Sequence, residues 1–183
     1  AAVVIEAIPA NNGLLLQQPD FLSLLRTTTR SLGALLVADE VLTGFRVSDP
    51  LVSLSNGLDP DILTLGKVIG GGLPVGAVWA SAAIMEELAP QGPVYQAGTL
   101  SGNPLATAAG LATLRALGEE GIYETLERSG AALAAGLEAA IASAGVTALV
   151  QRVGSMMTLF FNESPVASRD SLDGVRTDLY ARF

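Results

Sequence analysis

The chain has no cysteine and no histidine, and its 183 residues include one tryptophan and one lysine. Without cysteine there is no disulfide framework, no thiolate metal site and no thiol nucleophile. Without histidine there is no Ser-His-Asp triad within the chain and no imidazole ligand, so no metal is expected. Positive charge is also scarce. Ten basic against eighteen acidic residues give a formal net charge of −8, whereas binding a phosphate backbone needs clustered Lys and Arg, so no nucleic-acid partner is expected. Val68 to Met85 and Leu88 to Leu114 carry no charge at all. The first, however, holds Gly70, Gly71, Gly72 and Pro74, and the second holds Pro90, Pro93 and Pro104 with Gln91, Gln96 and Asn103. Such breakers and polar groups argue against a membrane-spanning helix, which needs about 20 mainly apolar residues. No basic segment precedes an apolar run in Ala1 to Pro9, so no signal peptide is expected and the expected compartment is the cytosol. Import into a plastid through an upstream segment is left open.

Half of the residues are hydrophobic, and short β-rich runs alternate with helical patterns, the signature of parallel α/β architecture. Val3–Ile8, Ala34–Ala38 and Asp61–Leu65 read as buried strands, with a further strand at Pro74–Ala80. Helices are expected at Pro19–Leu32, with Leu22, Leu25 and Leu32 near one face, and at Ala82–Leu88, Leu105–Leu117 and Tyr123–Ser143. Gln151–Phe161 is strand-like, Ser164–Asp173 is a polar connector, and Val175–Phe183 is amphipathic. The pattern changes near Gly118–Gly121, a natural boundary. High hydrophobicity with few charges predicts surfaces covered by more chain or by a partner, as in one piece of a longer protein.

Nine of the ten basic residues are arginine, and the single lysine, Lys67, stands between a strand and the triple glycine. A guanidinium is too delocalised to form an imine, whereas a lysine amine forms one once its lone pair is exposed. Gly70, Gly71 and Gly72 would let another group approach the backbone closely. The plainer alternative is a surface lysine beside a flexible turn. Asp39 lies at the carboxyl end of an apolar strand, where open α/β sheets place ligands, and a carboxylate there needs a cation or hydrogen-bond donors. Lys67 ends the next strand on the same edge, so the two could flank one crevice. The alternative for Asp39 is a structural pair, for instance with Arg46. Tyr95 to Pro104 sets glycines and hydroxyls before a helix start, offering free N–H groups to an anion such as phosphate. The alternative is simple capping of that helix by Asn103. An amine, a carboxylate and a phosphate-friendly turn together suit pyridoxal 5′-phosphate. A nicotinamide site is not expected, because Gly70-Gly71-Gly72-Leu73-Pro74 is not a strand–GxGxxG–helix arrangement.

Asp39-Glu40-Val41-Leu42-Thr43-Gly44-Phe45-Arg46, Pro60-Asp61 with Leu65 to Ala77, and Gly92 to Leu105 resemble the class III (ornithine-type) aminotransferases, with a weaker likeness over Val153 to Phe161. The resemblance implies part of a type I pyridoxal-phosphate transferase fold: an α/β structure with a mainly parallel sheet and flanking helices, plus part of a smaller C-terminal α/β domain. It implies the end of the large cofactor-binding domain in residues 1–118 and the start of the small domain in 119–183. Lys67 would hold the cofactor aldehyde and then shuttle protons, Asp39 would pair with the pyridine nitrogen, and Val41 would pack against the ring face. Thr99 would contact the phosphate of the neighbouring subunit's cofactor in a homodimer acting on a small amino-bearing substrate. Leu42 stands where many ordinary transaminases of the family have glutamine, which points to the branch that moves an amino group within one substrate. Family chains are more than twice as long, and the half that supplies a phosphate-binding Ser/Gly turn is missing here, so this polypeptide by itself is expected to be inactive.

Overall fold

The computed structural model describes residues 1–48 and 51–183. They form two compact units, one of Ala1–Ala7 with Gln18–Glu119, the other of Ile8–Gln17 with Glu120–Phe183. The division falls between Glu119 and Glu120, and Ile8–Gln17 clusters with the second unit.

The first unit is built on a four-stranded sheet of β1 (Ala2–Ile5), β2 (Leu35–Glu40), β3 (Ile62–Leu65) and β4 (Ala77–Ala80), in that order. The first three strands are parallel and β4 is antiparallel to β3. This is the mainly parallel α/β sheet expected from the sequence. Parallel strands need a crossover, supplied between β1 and β2 by α1 (Pro19–Ser31), which carries Pro at its start and Asp20 in its first turn. Leu22 and Thr29 of α1 are buried, whereas Leu32 is 75% exposed. Leu32 is the helix's C-cap rather than a member of its inner stripe, and the inner position one turn earlier belongs to Thr29, whose hydroxyl bonds back to Arg26 O. Arg26 grips Asp61, just before β3, through two hydrogen bonds of 2.9 and 3.0 Å. The same carboxylate accepts Leu36 N of β2 at 2.7 Å, so one acid ties the helix to two strands. The Arg26 guanidinium holds the Asp61 carboxyl below its usual range.

In β2 the buried residues Leu36, Ala38 and Glu40 alternate with the less buried Leu35, Val37 and Asp39. Consecutive strand residues face opposite sides, so Asp39 and Glu40 leave the strand end on different faces. After β2 come the short α2 (Val52–Ser55), β3, a 3₁₀ turn at Lys67–Gly70, β4, α3 (Ala82–Met85) and α4 (Pro104–Leu117). Nothing in the sequence pattern signalled α2. β4 starts at Ala77 rather than Pro74, and Val78 and Trp79 on it are 56% and 55% exposed.

The second unit packs α5 (Ile122–Ala144) against β5 (Leu149–Val153) and β6 (Met156–Phe160), with α6 (Thr177–Tyr180) near the end. The single strand expected at Gln151–Phe161 is an antiparallel hairpin closed at the Val153–Met156 pair. Gly154 takes φ 57° at the first turn position, as a two-residue hairpin with Gly first requires. Arg152 of β5 bonds Gly154 O and pairs with Glu127 of α5, and Met156, Phe160, Phe161 and Val166 are buried. Phe161 stacks edge-on with Tyr180 of α6 at 5.1 Å. Among the described residues no helix is long and apolar enough to cross a membrane.

Candidate active site

Two parallel strands end side by side at the carboxyl edge of the first unit's sheet. Asp39 is the register partner of Thr64. Its Oδ1 accepts Thr64 Oγ1 at 3.2 Å and the backbone N–H of Val41 at 2.9 Å. Both bonds orient the carboxylate from one oxygen, and among the described residues Oδ2 has no donor. The Asp39–Arg46 pair raised as an alternative is not what holds it: Arg46 Nε donates to Leu42 O at 2.7 Å. Thr64 was missed in the sequence, although one hydroxyl inside Ile62-Leu63-Thr64-Leu65 was the available signal.

Lys67 follows β3 by two residues and opens the 3₁₀ turn with φ 45°. That left-handed conformation is unfavourable for a residue with a Cβ. Its side chain is exposed, and among the described residues its amine has no hydrogen-bond or ion-pair partner. The preceding residue, Gly66, is buried. A Cβ there would lie 3.1 Å from Val41 Cγ1, so Val41 sits against the backbone that leads into Lys67. Asp39, Val41 and the lysine turn thus form one cluster.

The close backbone approach expected at the triple glycine occurs at Gly71, and the group that approaches is α4. A Cβ on Gly71 would lie 2.5 Å from Thr113 Oγ1 and 2.8 Å from Ala109 O, both on α4. Reciprocally, a Cβ on Gly110 of α4 would lie 2.2 Å from Ile69 O. Glycines on both elements therefore let the lysine turn dock backbone-to-backbone on α4.

Thr99 lies apart from the Asp39 cluster. It lines a cleft of about 560 Å³ with Pro74, Val75 and Gly76 on one wall, and Gly98, Ser101, Gly102 and Asn103 on the other. Asn103 caps α4, its Oδ1 accepting Leu105 N at 3.0 Å and Ala106 N at 3.2 Å. Capping therefore accounts for Asn103, while Thr99 and Ser101 remain exposed. Val75 links the two places: it lines the cleft, and its carbonyl would be 3.6 Å from a Cβ at Gly66. No group of acidic residues among the described ones could hold a metal ion.

The family profile for class-III aminotransferases matches residues 1–178. The chain belongs to this family. The glutamate-1-semialdehyde 2,1-aminomutase of Desulforudis audaxviator is 52% identical over 100% of this chain and 42% of its own length. Among solved structures, an omega-transaminase from Sphaerobacter thermophilus matches 93% of this chain and 41% of its own, with a TM-score of 0.82 and 34% identity. A glutamate-1-semialdehyde-aminomutase from Pseudomonas aeruginosa matches 97% and 41%, with a TM-score of 0.81 and 28% identity. A variant of that Pseudomonas protein has been solved in complex with PMP. This aminotransferase segment therefore spans about 42% of the length of the curated relatives it matches.

Proposed function

We propose that this chain is a segment of a pyridoxal-phosphate-dependent glutamate-1-semialdehyde 2,1-aminomutase, which converts glutamate 1-semialdehyde to 5-aminolevulinate for tetrapyrrole synthesis. The observation that carries this reading is identity of 52% to a curated aminomutase along the whole of this chain. The site supports it through the two unpartnered groups of the Asp39 cluster, one acid oxygen and one amine at the same sheet edge.

Pyridoxal 5′-phosphate supplies an aldehyde that an amine can hold and a protonated ring that accepts electrons from a substrate carbanion. Asp39 Oδ2 is the group to keep a proton on the ring nitrogen, with Thr64 and Val41 N fixing its direction through Oδ1. Val41 is placed to pack on the ring face. Lys67 Nζ is the amine that holds the aldehyde and afterwards moves protons at the substrate carbon. Thr99 Oγ1 is offered to the phosphate held by a second copy in a homodimer, working in the cytoplasm.

A second reading, a class III transaminase of other specificity, draws on the 34% identity with the Sphaerobacter omega-transaminase. A non-catalytic remnant of the fold is the third. Full-length protein assayed with glutamate 1-semialdehyde alone, and separately with an amino donor plus 2-oxoglutarate, separates all three. Aminolevulinate is expected in the first assay. Turnover only in the second installs the transaminase, and turnover in neither, with no absorption from bound cofactor, leaves the remnant. Lys67→Ala and Lys67→Arg should both abolish the visible absorption of bound cofactor, and survival of the band in either variant removes Lys67 from its role.

A further inference from the structure

Glu40 follows Asp39 directly, yet nothing proposed above uses it. It is fully buried, at 0% exposure, and it stands where β2 has so far set apolar residues, Leu36 and Ala38, on the same face. Burying a carboxylate is expensive unless donors surround it, and here four do. Oε1 accepts Ser53 N and Ser53 Oγ, both at 2.6 Å. Oε2 accepts Thr43 Oγ1 at 2.9 Å and Val52 N at 3.3 Å. One donor comes from Thr43, just after β2, and three from Val52 and Ser53, which open α2. An apolar residue at 40 would fill the volume while leaving two buried N–H groups unpaired.

We propose that Glu40 is a positioning residue: from the sheet face opposite Asp39 it holds Thr43 and the start of α2 at Val52 and Ser53, and thereby fixes the Asp39–Val41 turn that receives the cofactor ring. This rests on the cofactor reading given above. The link is short and covalent. Asp39 Oδ1 is held by the N–H of Val41, and Val41 is joined to Glu40, so a shift of the clamp moves the donor that orients the acid. Gly44 seals the same turn, because a Cβ there would lie 2.7 Å from Glu40 O and 2.8 Å from Leu65 Cδ2.

The test uses full-length protein and three variants. Glu40→Gln keeps shape and volume but turns one acceptor into a donor that faces Val52 N or Ser53 N. Thr43→Val removes a single bond to Oε2 and serves if the glutamine variant does not fold. Asp61→Asn loosens the same sheet at the far end of β3 and is the control for general destabilisation. Each is titrated with pyridoxal 5′-phosphate, following the visible absorption of the bound cofactor and its dependence on pH, alongside the thermal midpoint. Glu40→Gln is expected to weaken cofactor binding on the order of tenfold, as loss of an orienting partner behind a ligand does elsewhere, and to displace the pH profile of the band. Thr43→Val should move both readouts in the same direction by less, and Asp61→Asn should lower the midpoint without moving the pH profile. Wild-type affinity and an unchanged profile in a folded Glu40 or Thr43 variant would overturn the positioning role, as would an Asp61→Asn protein that shows the same displacement. Wild-type protein with no Lys67-dependent absorption overturns the cofactor reading and this inference with it, so the two failures are told apart.

Discussion

Asp39 presents two oxygens in different surroundings, and the difference makes its neighbours separable. Thr64→Val removes the 3.2 Å bond to Oδ1 but leaves Val41 N in place, so turnover in the full-length enzyme should fall by roughly tenfold, the low end of the about 1.5–3 kcal/mol of a hydrogen bond to a charged group. Asp39→Asn removes the charge that a protonated ring nitrogen needs, and kcat should drop on the order of 10²-fold or more, the scale seen when one preorganised electrostatic group is lost. Steady-state kinetics on both variants checks the order. Asp39 and Lys67 stood out in the sequence because the first puts a charge at the end of an apolar strand and the second is the single lysine. Thr64 did not, because its importance depends on strand register, a relation between residues 25 apart.

At the scale of elements, two helical glycines with opposite surroundings give opposite forecasts. Gly110 of α4 meets Ile69 O, whereas a Cβ on Gly136 of α5 meets nothing within 4 Å. Gly136→Ala should raise stability by about 0.5–1 kcal/mol through helix propensity and lost unfolded-state freedom. Gly110→Ala should lower it by about 1–3 kcal/mol, because the clash displaces the lysine turn. Urea unfolding of the two variants reads the sign directly. The Arg26–Asp61 pair sets a pH dependence. Asp61 has a folded-state pKa below its unfolded value, so its stabilising contribution is complete above the unfolded value, about 3.9, and is lost as pH falls through the lower folded one. Unfolding midpoints measured from pH 7 downward should fall more steeply in wild type than in Asp61→Asn, which should start about 1–3 kcal/mol lower at neutral pH because Arg26 and Leu36 N lose their acceptor.

The legibility of elements followed the range of the forces that make them. α1, α4 and α5 were readable from local period and caps, Asn103-Pro104 being the clearest case. The β5–β6 hairpin was read as one strand although Gly154-Ser155, a turn pair, stood between its halves. The triple glycine was read as admitting a close approach, but the group that approaches Gly71 could not be named from local pattern, because α4 lies some forty residues further along the chain.

For the molecule as a whole, large apolar side chains are exposed in both units: Val4, Leu32, Trp79, Tyr95, Leu105, Leu133 and Phe183 are each more than half exposed. The low charge led to the expectation of surfaces covered by more chain or by a partner, and family membership rested on motifs long enough to be specific. Since the chain spans about 42% of such a relative, the isolated 183-residue polypeptide should form no detectable aminolevulinate under conditions where the full-length protein does. A coupled colorimetric assay run on both settles the point.

The backbone at Lys67, with φ 45°, has a consequence for how variants there behave. Alanine inherits the same torsional strain as lysine, whereas glycine relieves it, by about 1 kcal/mol. Lys67→Gly should therefore melt at a higher temperature than either while lacking the amine altogether. The fold would be sturdier without the residue on which the proposed chemistry depends.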